Sequence, residues 1–352
     1  MSDQSLALQK RVKEHIDRGQ AMQITAGNSK RFYANQIHGE ELSVKEHSGI
    51  VHYEPTELVI TARCGTPLQE IESALAEQNQ MLAFEPPCFR PEATLGGCLA
   101  TGLSGPRRPF TGAARDFTLG MRIINGQGEI MKFGGEVMKN VAGYDVSRLL
   151  VGSMGTLAII LEASLKVLPK PEMEVTIYYE LTERAALTRS NELCAQNLPV
   201  SATCYDGKQL YIRLSGTESG VNKALRTLGG ERINNADTFW DSIKNQSHEF
   251  FNHKQRLWRL SLNSSAPPLE LMGDQLIEWR GAQRWLISEQ APEIVREVVS
   301  QHGGHATIFK NAQAGDEVFQ PIYGKLHELH LNLKLAMDPQ CLFNQSRMYD
   351  GF

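Results

Sequence analysis

The sequence predicts an α+β fold in two domains, and three observations carry that prediction. The first half alternates strand-like runs with helical stretches and concentrates glycine, a mixed α and β pattern. The second half spaces four strand-like runs among three helical ones, the order of an antiparallel sheet backed by helices. Between them Pro169-Lys170-Pro171 marks a change of texture, from many glycines to fewer glycines and more charge. A chain of 352 residues exceeds one compact core at usual domain sizes, so two domains or one with a substantial insertion are expected. The boundaries place a first domain at 1–170, a smaller one at 171–326, and a tail at 327–352 that returns to the first.

Met1 to Gly19 reads as a charged amphipathic helix with Leu6, Leu8, Val12 and Ile16 on its apolar face. Met22 to Thr25 and Leu58 to Arg63 read as strands, and Pro67 to Gln80 as a helix facing inward with Leu68, Ile71 and Leu75. Met121 to Asn125 and Glu129 to Phe133 are strands split by the hairpin-like turn Gly126-Gln127-Gly128, and Leu157 to Val167 alternates as a further strand. In the second half Gln209 to Leu214, Leu257 to Leu262, Gln283 to Ser288 and His305 to Phe309 are the strands; Gly220 to Leu228, Pro268 to Glu278 and Pro292 to Gln301 are the helices. His327 to Ala336 reads as a helix ending at Asp338-Pro339, after which Leu342-Phe343-Asn344 is short enough to dock on the first domain.

Composition excludes several function classes. A chain 41% hydrophobic and 22% charged is that of a folded globular protein. With a net charge of −4 and no basic block, nucleic acid is not an expected partner. The N-terminus has no apolar h-region and the chain no transmembrane segment, so a cytoplasmic location is expected. Cys64, Cys88, Cys98, Cys194, Cys204 and Cys341 form no C-x-x-C or C-x-x-H pair, which is the wrong spacing for zinc or an iron–sulfur cluster. They are expected as buried thiols, with no metal bound.

Small residues crowd Ala93-Thr94-Leu95-Gly96-Gly97, Thr101-Gly102, Gly105-Pro106 and Thr111-Gly112. Glycines let successive N–H groups converge on an anion without Cβ interference, as in a loop that cradles a pyrophosphate; tight turns in a β-rich domain would give the same density. Ala26-Gly27-Asn28-Ser29-Lys30 follows a strand and has the makings of a second anion nest, or of a helix cap at Asn28 or Ser29. It has neither the Walker spacing nor G-x-G-x-x-G.

The run KNVAGYDVSRLLVGSMGTLAIILEASLKVLPKP, from Lys139 to Pro171, resembles the K-x-x-x-G-Y-D-L…L-x-G-S-x-G-T-L-x-I-x-x-E pattern of the D-lactate dehydrogenase and glycolate oxidase branch of the vanillyl-alcohol-oxidase superfamily. EPTELVITARCGTPLQEIESAL and EATLGGCLATGLSGPRRPFTGAARDFTLG are similar to the stretches that precede it there, and GPRRP with FGGEVMKNVAGYD points to the family of FAD-binding E subunits of bacterial glycolate oxidases. The resemblance covers residues 20 to 170. It implies a PCMH-type FAD-binding domain of two α/β subdomains with a smaller antiparallel α+β cap. It makes Ala26, Gly27, Asn28, Ser29 and Lys30 the first pyrophosphate loop and Thr94, Leu95, Gly96 and Gly97 the second. Thr101, Gly102 and Gly105 would line the flavin side, and Gly152, Ser153, Gly155 and Thr156 the adenosine or pyrophosphate end. Asp116 and Asp145 read as turn-holding residues. The first loop departs from the family's Gly-x-Gly by having Ala26 and Asn28; Asn tolerates positive φ. The attachment position that carries His in covalent flavoproteins offers only Ser29 and Lys30, so FAD is expected to be noncovalent.

The resemblance further implies a subunit of a glycolate oxidase that turns glycolate into glyoxylate, with a second FAD-binding catalytic subunit and an iron–sulfur subunit as partners and electrons passing to membrane quinone. Any membrane association would be peripheral, through those partners. An FAD-binding assembly subunit without turnover and a stand-alone 2-hydroxy-acid dehydrogenase are the alternatives; no H-x-G-D-G-N-type segment, used near substrate in related catalytic subunits, is present. In the second domain Arg213, Arg259 and Arg284 sit inside strands, the last two beside Trp258 and Trp285. Arg259 has the chemistry to clamp a 2-hydroxy-acid carboxylate, and His305 to take the hydroxyl proton as hydride leaves for flavin N5; surface pairing, stacking and a structural His are the alternatives.

Overall fold

The computed structural model describes residues 3–135 and 145–352. The chain forms two compact units: Met1–Ser104, Gly112–Pro169 and Pro321–Phe352 make one, Gly105–Thr111 and Lys170–Gln320 the other.

In the first unit helix α1 (Ser5–Arg18) stops at Gly19, whose φ of 60° only glycine adopts without strain. Leu8 and Val12 bury against Met22, Leu42, Ile124 and Phe343. Strands β1 (Met22–Thr25) and β2 (Glu40–Ser43) pair in parallel. Five further strands make an antiparallel sheet: β3 (Ile50–Glu54), β4 (Val59–Arg63), β5 (Thr118–Ile124), β6 (Ile130–Gly134) and β7 (Ile159–Lys166), in the order β3-β4-β7-β5-β6. Between β4 and β5 the chain forms α2 (Leu68–Glu77) and α3 (Leu95–Thr101), and before β7 α4 (Val146–Leu150). Ile60, Ile71, Leu75, Phe84, Leu99, Phe117, Ile123 and Leu165 share one core, which explains the apolar stripe read in α2. The Asn125 side chain accepts from the Gln127 and Glu129 N–H groups and so shapes the hairpin between β5 and β6.

The second unit is built on an eight-stranded sheet. Its strands are β8 (Met173–Glu180), β9 (Val200–Tyr205), β10 (Gln209–Gly216), β11 (Leu257–Ser261), β12 (Asp274–Glu278), β13 (Gln283–Ile287) and β14 (His305–Lys310), with the two-residue strand Glu231–Arg232 at one edge. From that edge the order is β8-β10-β9-β12-β13-β11-β14, and the paired strands run antiparallel. Helices α5 (Glu183–Ala195), α6 (Glu218–Leu228), α7 (Ala236–Lys244) and α8 (Pro292–Gln301) accompany it. The helix expected at Pro268 to Glu278 is absent: residues 274–278 pair with Gln283–Ile287 as β12. Gly273 explains the change, because its φ of 128° is closed to helix and a Cβ there would lie 1.9 Å from the Ile287 carbonyl oxygen. Leu276 and Ile277 are buried in the sheet, so pairing and burial override a spacing compatible with either period.

Helix α9 (Gly324–Met337) brings the chain back to the first unit. There the Met22 N–H donates to the Leu342 carbonyl at 2.7 Å and the Asn344 N–H to the Met22 carbonyl at 3.0 Å. Among the described residues no helix is long and apolar enough to cross a membrane.

Candidate functional site

A pocket in the first unit gathers four separate pieces of chain. Strand β1 runs into Ala26, Gly27, Asn28, Ser29 and Lys30, which line it together with Arg31; Thr94, Gly97 and Thr101 come from the start and length of α3; Met154 comes from the loop before β7; Asn344 and Arg347 come from the tail. Among the described residues its lining holds three cations, Lys30, Arg31 and Arg347, and no carboxylate. Lys30 is 6% exposed, and its ammonium has no hydrogen-bond partner among the described residues. It lies 5.6 Å from the centre of the Phe89 ring, and burial pulls its pKa below the usual lysine range. A buried cation without a partner is costly unless an anion meets it.

The local backbone explains why small residues stand there. Asn28 has φ 51°, the left-handed conformation Asn tolerates. A Cβ on Gly27 would lie 1.5 Å from the Glu92 carbonyl oxygen, so this glycine lets the first loop pass the chain leading into α3. Thr94 caps α3, its hydroxyl accepting from the Gly97 N–H at 3.2 Å. Leu95 is buried in the core rather than in the pocket. Gly96 is also an internal requirement: its Cβ would lie 2.9 Å from the Cys64 side chain and backbone, whereas Gly97 faces the pocket with only Thr94 at 3.4 Å. Thr101 donates back to the Gly97 carbonyl at 2.9 Å, and α3 ends at Gly102 with φ 62°.

The loop expected at the adenosine or pyrophosphate end packs on α3. The Gly152 N–H donates to the Leu99 carbonyl at 2.9 Å, and Met154 to that of Ala100 at 2.8 Å. Thr156 donates to the Ser153 carbonyl at 2.7 Å, and the buried Ser153 hydroxyl is left without a partner among the described residues. Gly155 leaves room for Asn344, whose amide nitrogen a Cβ would meet at 2.8 Å. Of this loop only Met154 lines the pocket. Gly105 is not among the residues lining this pocket; it belongs to the second unit, where its carbonyl accepts from the Trp279 indole at 3.0 Å. Asp116 accepts from the Ala113 N–H and Asp145 from that of Arg148, the turn-holding expected of them. Lys139 to Tyr144 lie outside the described residues. The tail residues Asn344 and Arg347 were not read as site residues from the sequence, although Asn344 ends the segment expected to dock on the first domain.

The three strand arginines of the second unit separate into different roles. Arg284 is fully buried and donates to the carbonyls of Gly281, Pro267 and Ala266, so it braces a loop. Arg213 is buried, donates to Ser201 and stacks 5.0 Å from Trp240. Arg259 is half-buried and stacks 5.4 Å from Trp279, a ring that Arg108 also covers at 4.4 Å. Its Nε donates to Gln283 at 2.8 Å; Gln283 in turn donates to Glu278 at 3.1 Å, and Glu278 accepts from Trp285 at 2.7 Å. In the β11–β14 register Arg259 pairs with Thr307 and Ser261 with His305, so Arg259 and His305 share one sheet face. Desolvation, and then the Arg259 charge, hold His305 below the ordinary histidine pKa of 6.5. Of the cysteines, Cys64, Cys98 and Cys204 are buried and Cys88 and Cys341 half-buried. Burial pushes the Cys98 thiol up to about 11, so it is an inert thiol at neutral pH.

Residues 5–134 match the model of a family described as an FAD binding domain. The chain is 47% identical over 347 residues to the glycolate oxidase subunit GlcE of Escherichia coli, spanning 99% of this chain and 98% of that one. It is 32% identical over 176 residues to the glycolate oxidase subunit GlcD of Bacillus subtilis, covering 49% of this chain and 37% of the relative. To the D-lactate dehydrogenase of Anaerostipes hadrus it is 31% identical over 52% of this chain and 41% of that one. Among solved structures an alkyldihydroxyacetonephosphate synthase superposes with a TM-score of 0.67 at 14% identity over 96% of this chain and 75% of that one, a likeness of fold.

Proposed function

The chain belongs to the family of the glycolate oxidase subunit GlcE, and from that premise we propose that it works as the FAD-binding subunit of a glycolate oxidase complex, turning glycolate into glyoxylate. It is an FAD-dependent oxidoreductase subunit of the 2-hydroxy-acid type. The observation that carries the cofactor reading is Lys30: a buried ammonium without a hydrogen-bond partner among the described residues, in a pocket whose described lining adds two more cations and no carboxylate. That chemistry fits a diphosphate. The backbone of Ala26 to Ser29 and the face of α3 at Thr94, Gly97 and Thr101 would hold the same group, with Leu95, Gly96 and Gly102 shaping the helix behind them. Gly152, Ser153, Gly155 and Thr156 support that wall, and the Ser153 hydroxyl is a spare donor beside it.

Bound FAD supplies a two-electron acceptor for the hydride of the substrate carbon. The remaining work falls to the chain. Arg259, its Nε fixed by Gln283, would present its terminal nitrogens to the substrate carboxylate in a charge-assisted pair. His305, held below its ordinary pKa and hence neutral at neutral pH, would take the hydroxyl proton. Electrons would leave through a second FAD-binding subunit and an iron–sulfur subunit, a reading supported by the similarity to relatives that are named glycolate oxidase subunits. We place the subunit in the cytoplasm, meeting the membrane through those partners. FAD would be held noncovalently, because the first loop offers only Ser29 and Lys30 at the position where covalent flavoproteins carry His.

Acid precipitation of the purified chain tests the attachment: all yellow colour should enter the supernatant, and flavin in the pellet would refute noncovalent binding. Anaerobic glycolate added to the chain alone and to the complex tests the rest. Bleaching of this subunit's flavin in either supports the reading; a flavin that stays oxidised in both assigns the chain to assembly instead.

A further inference from the structure

The end of the chain contributes two side chains to the cation-rich pocket, and neither belongs to a loop with a binding signature. Arg347 donates through Nη1 to the Asn35 carbonyl and through Nη2 to that of Tyr33, both at 2.7 Å, and Nη2 makes a longer contact with the Arg31 carbonyl at 3.5 Å. These bonds leave part of its five-donor fork uncommitted. Its guanidinium stands beside Arg31, and burial and that neighbour together pull its pKa down to about 10, so it stays charged at neutral pH. A guanidinium needed only to tie these three carbonyls gains nothing from sitting desolvated near another cation. An incoming anion offsets both costs.

Asn344 fixes where that guanidinium stands. Its side chain is buried, accepts from the Ile24 N–H and donates to the Met154 carbonyl, each at 2.8 Å. One amide therefore joins β1, the loop before β7 and the tail at the pocket wall. Its φ of 43° turns the chain so that Arg347 follows into the lining.

We propose that Arg347 is a phosphate-binding residue of the cofactor site and that Asn344 is its positioning residue, so that the pocket takes a diphosphate only once the last residues of the chain have docked. The inference rests on the FAD reading above. The test is FAD titration into wild-type apoprotein, Arg347→Lys and Arg347→Gln at rising KCl, with thermal unfolding of each apoprotein as a check on folding. Gln keeps amide donors for the carbonyls but no charge, and Lys keeps the charge without the fork. We expect Arg347→Gln to weaken FAD roughly 10- to 100-fold and to flatten the salt dependence, and Arg347→Lys to keep that dependence and recover much of the affinity. Equal weakening by both variants with the wild-type salt dependence would make Arg347 a carbonyl clamp only and overturn the proposal, as would wild-type affinity in Arg347→Gln. Failure of the wild-type chain itself to bind FAD would instead bring down the cofactor reading on which this stands.

Discussion

Lys334 and Asp338 are both fully buried, and the ammonium donates to the carboxylate at 2.8 Å. The same ammonium donates to the Thr156 carbonyl at 2.6 Å and the Phe343 carbonyl at 2.9 Å, while the carboxylate accepts from the Phe343 N–H at 2.8 Å. One ion pair thus fastens helix α9, the tail beyond it and the loop before β7, and two of those three pieces reach the pocket.

Lys334→Met should therefore do more than remove a charge. It leaves a buried carboxylate without its cation and should destabilise the fold by about 3 to 5 kcal/mol, read by urea unfolding. FAD affinity should fall with it, because the docking of Asn344 and Arg347 depends on the same anchor. Wild-type stability in this variant would show that the pair is dispensable.

The two neighbouring glycines of α3 should respond in opposite ways. Gly96→Ala forces a Cβ to 2.9 Å from Cys64 and should lower the melting temperature. Gly97→Ala meets only an ordinary contact with Thr94 but intrudes on the pocket, so the melting temperature of the apoprotein should hold while FAD content falls. Equal effects of both on both readouts would contradict the assignment of Gly97 to the pocket.

Arg259→Ala and Arg284→Ala should separate substrate chemistry from architecture. Arg259→Ala should leave FAD content unchanged and cost roughly 2 to 4 kcal/mol in glycolate-driven flavin reduction. Arg284→Ala strips three carbonyls of their buried donor and should destabilise the second unit, visible in thermal unfolding. Unchanged reduction in Arg259→Ala would remove that residue from the substrate site.

Acid should weaken the fold through His47. This imidazole is 1% exposed; its Nδ1 accepts from the Gln4 N–H at 3.0 Å, and its Nε2 has no partner among the described residues. Burial holds its pKa below 6.5, against the pull of Asp3 and Glu162 and with the help of Arg63 and Arg122. The unfolded chain therefore binds the proton more readily, so the contribution of neutral His47 is complete above pH 6.5 and is lost as pH falls through the folded pKa. Unfolding free energy measured from neutral to mildly acidic pH should decline over that window, and His47→Gln should reduce the decline.

Much of the fold was legible in the sequence because local rules and tertiary demands agree there. The amphipathic stripe of α1 buries Leu8 and Val12 and packs Ile16 against them, while Leu6, expected on the same face, is 76% exposed. The stripe of α2 buries Leu68, Ile71 and Leu75. Strand β7, expected to alternate, is buried on both faces, Ile160, Ala163 and Leu165 in one cluster and Ile159 and Leu161 in another. The span Pro268 to Glu278 was misread because Leu271, Leu276 and Ile277 suit a helix as well as a strand, and only the backbone at Gly273 and pairing with β13 decide between them. Ala26 to Lys30 could be singled out from sequence because small, conformationally free residues after a strand suit an anion nest, and the structure brings all five to the lining of one pocket. Sequence could not reveal that Gly96 serves Cys64 while Gly97 serves the pocket, nor that Arg259 and His305 share a face while Arg284 is spent on carbonyls. Those distinctions depend on which way a side chain points after strands far apart in the chain have paired. Arg347 is the extreme case: it reaches the carbonyls of Tyr33 and Asn35, more than three hundred residues earlier in the chain, and that meeting exists only when tertiary packing has closed the first unit with its own C-terminus.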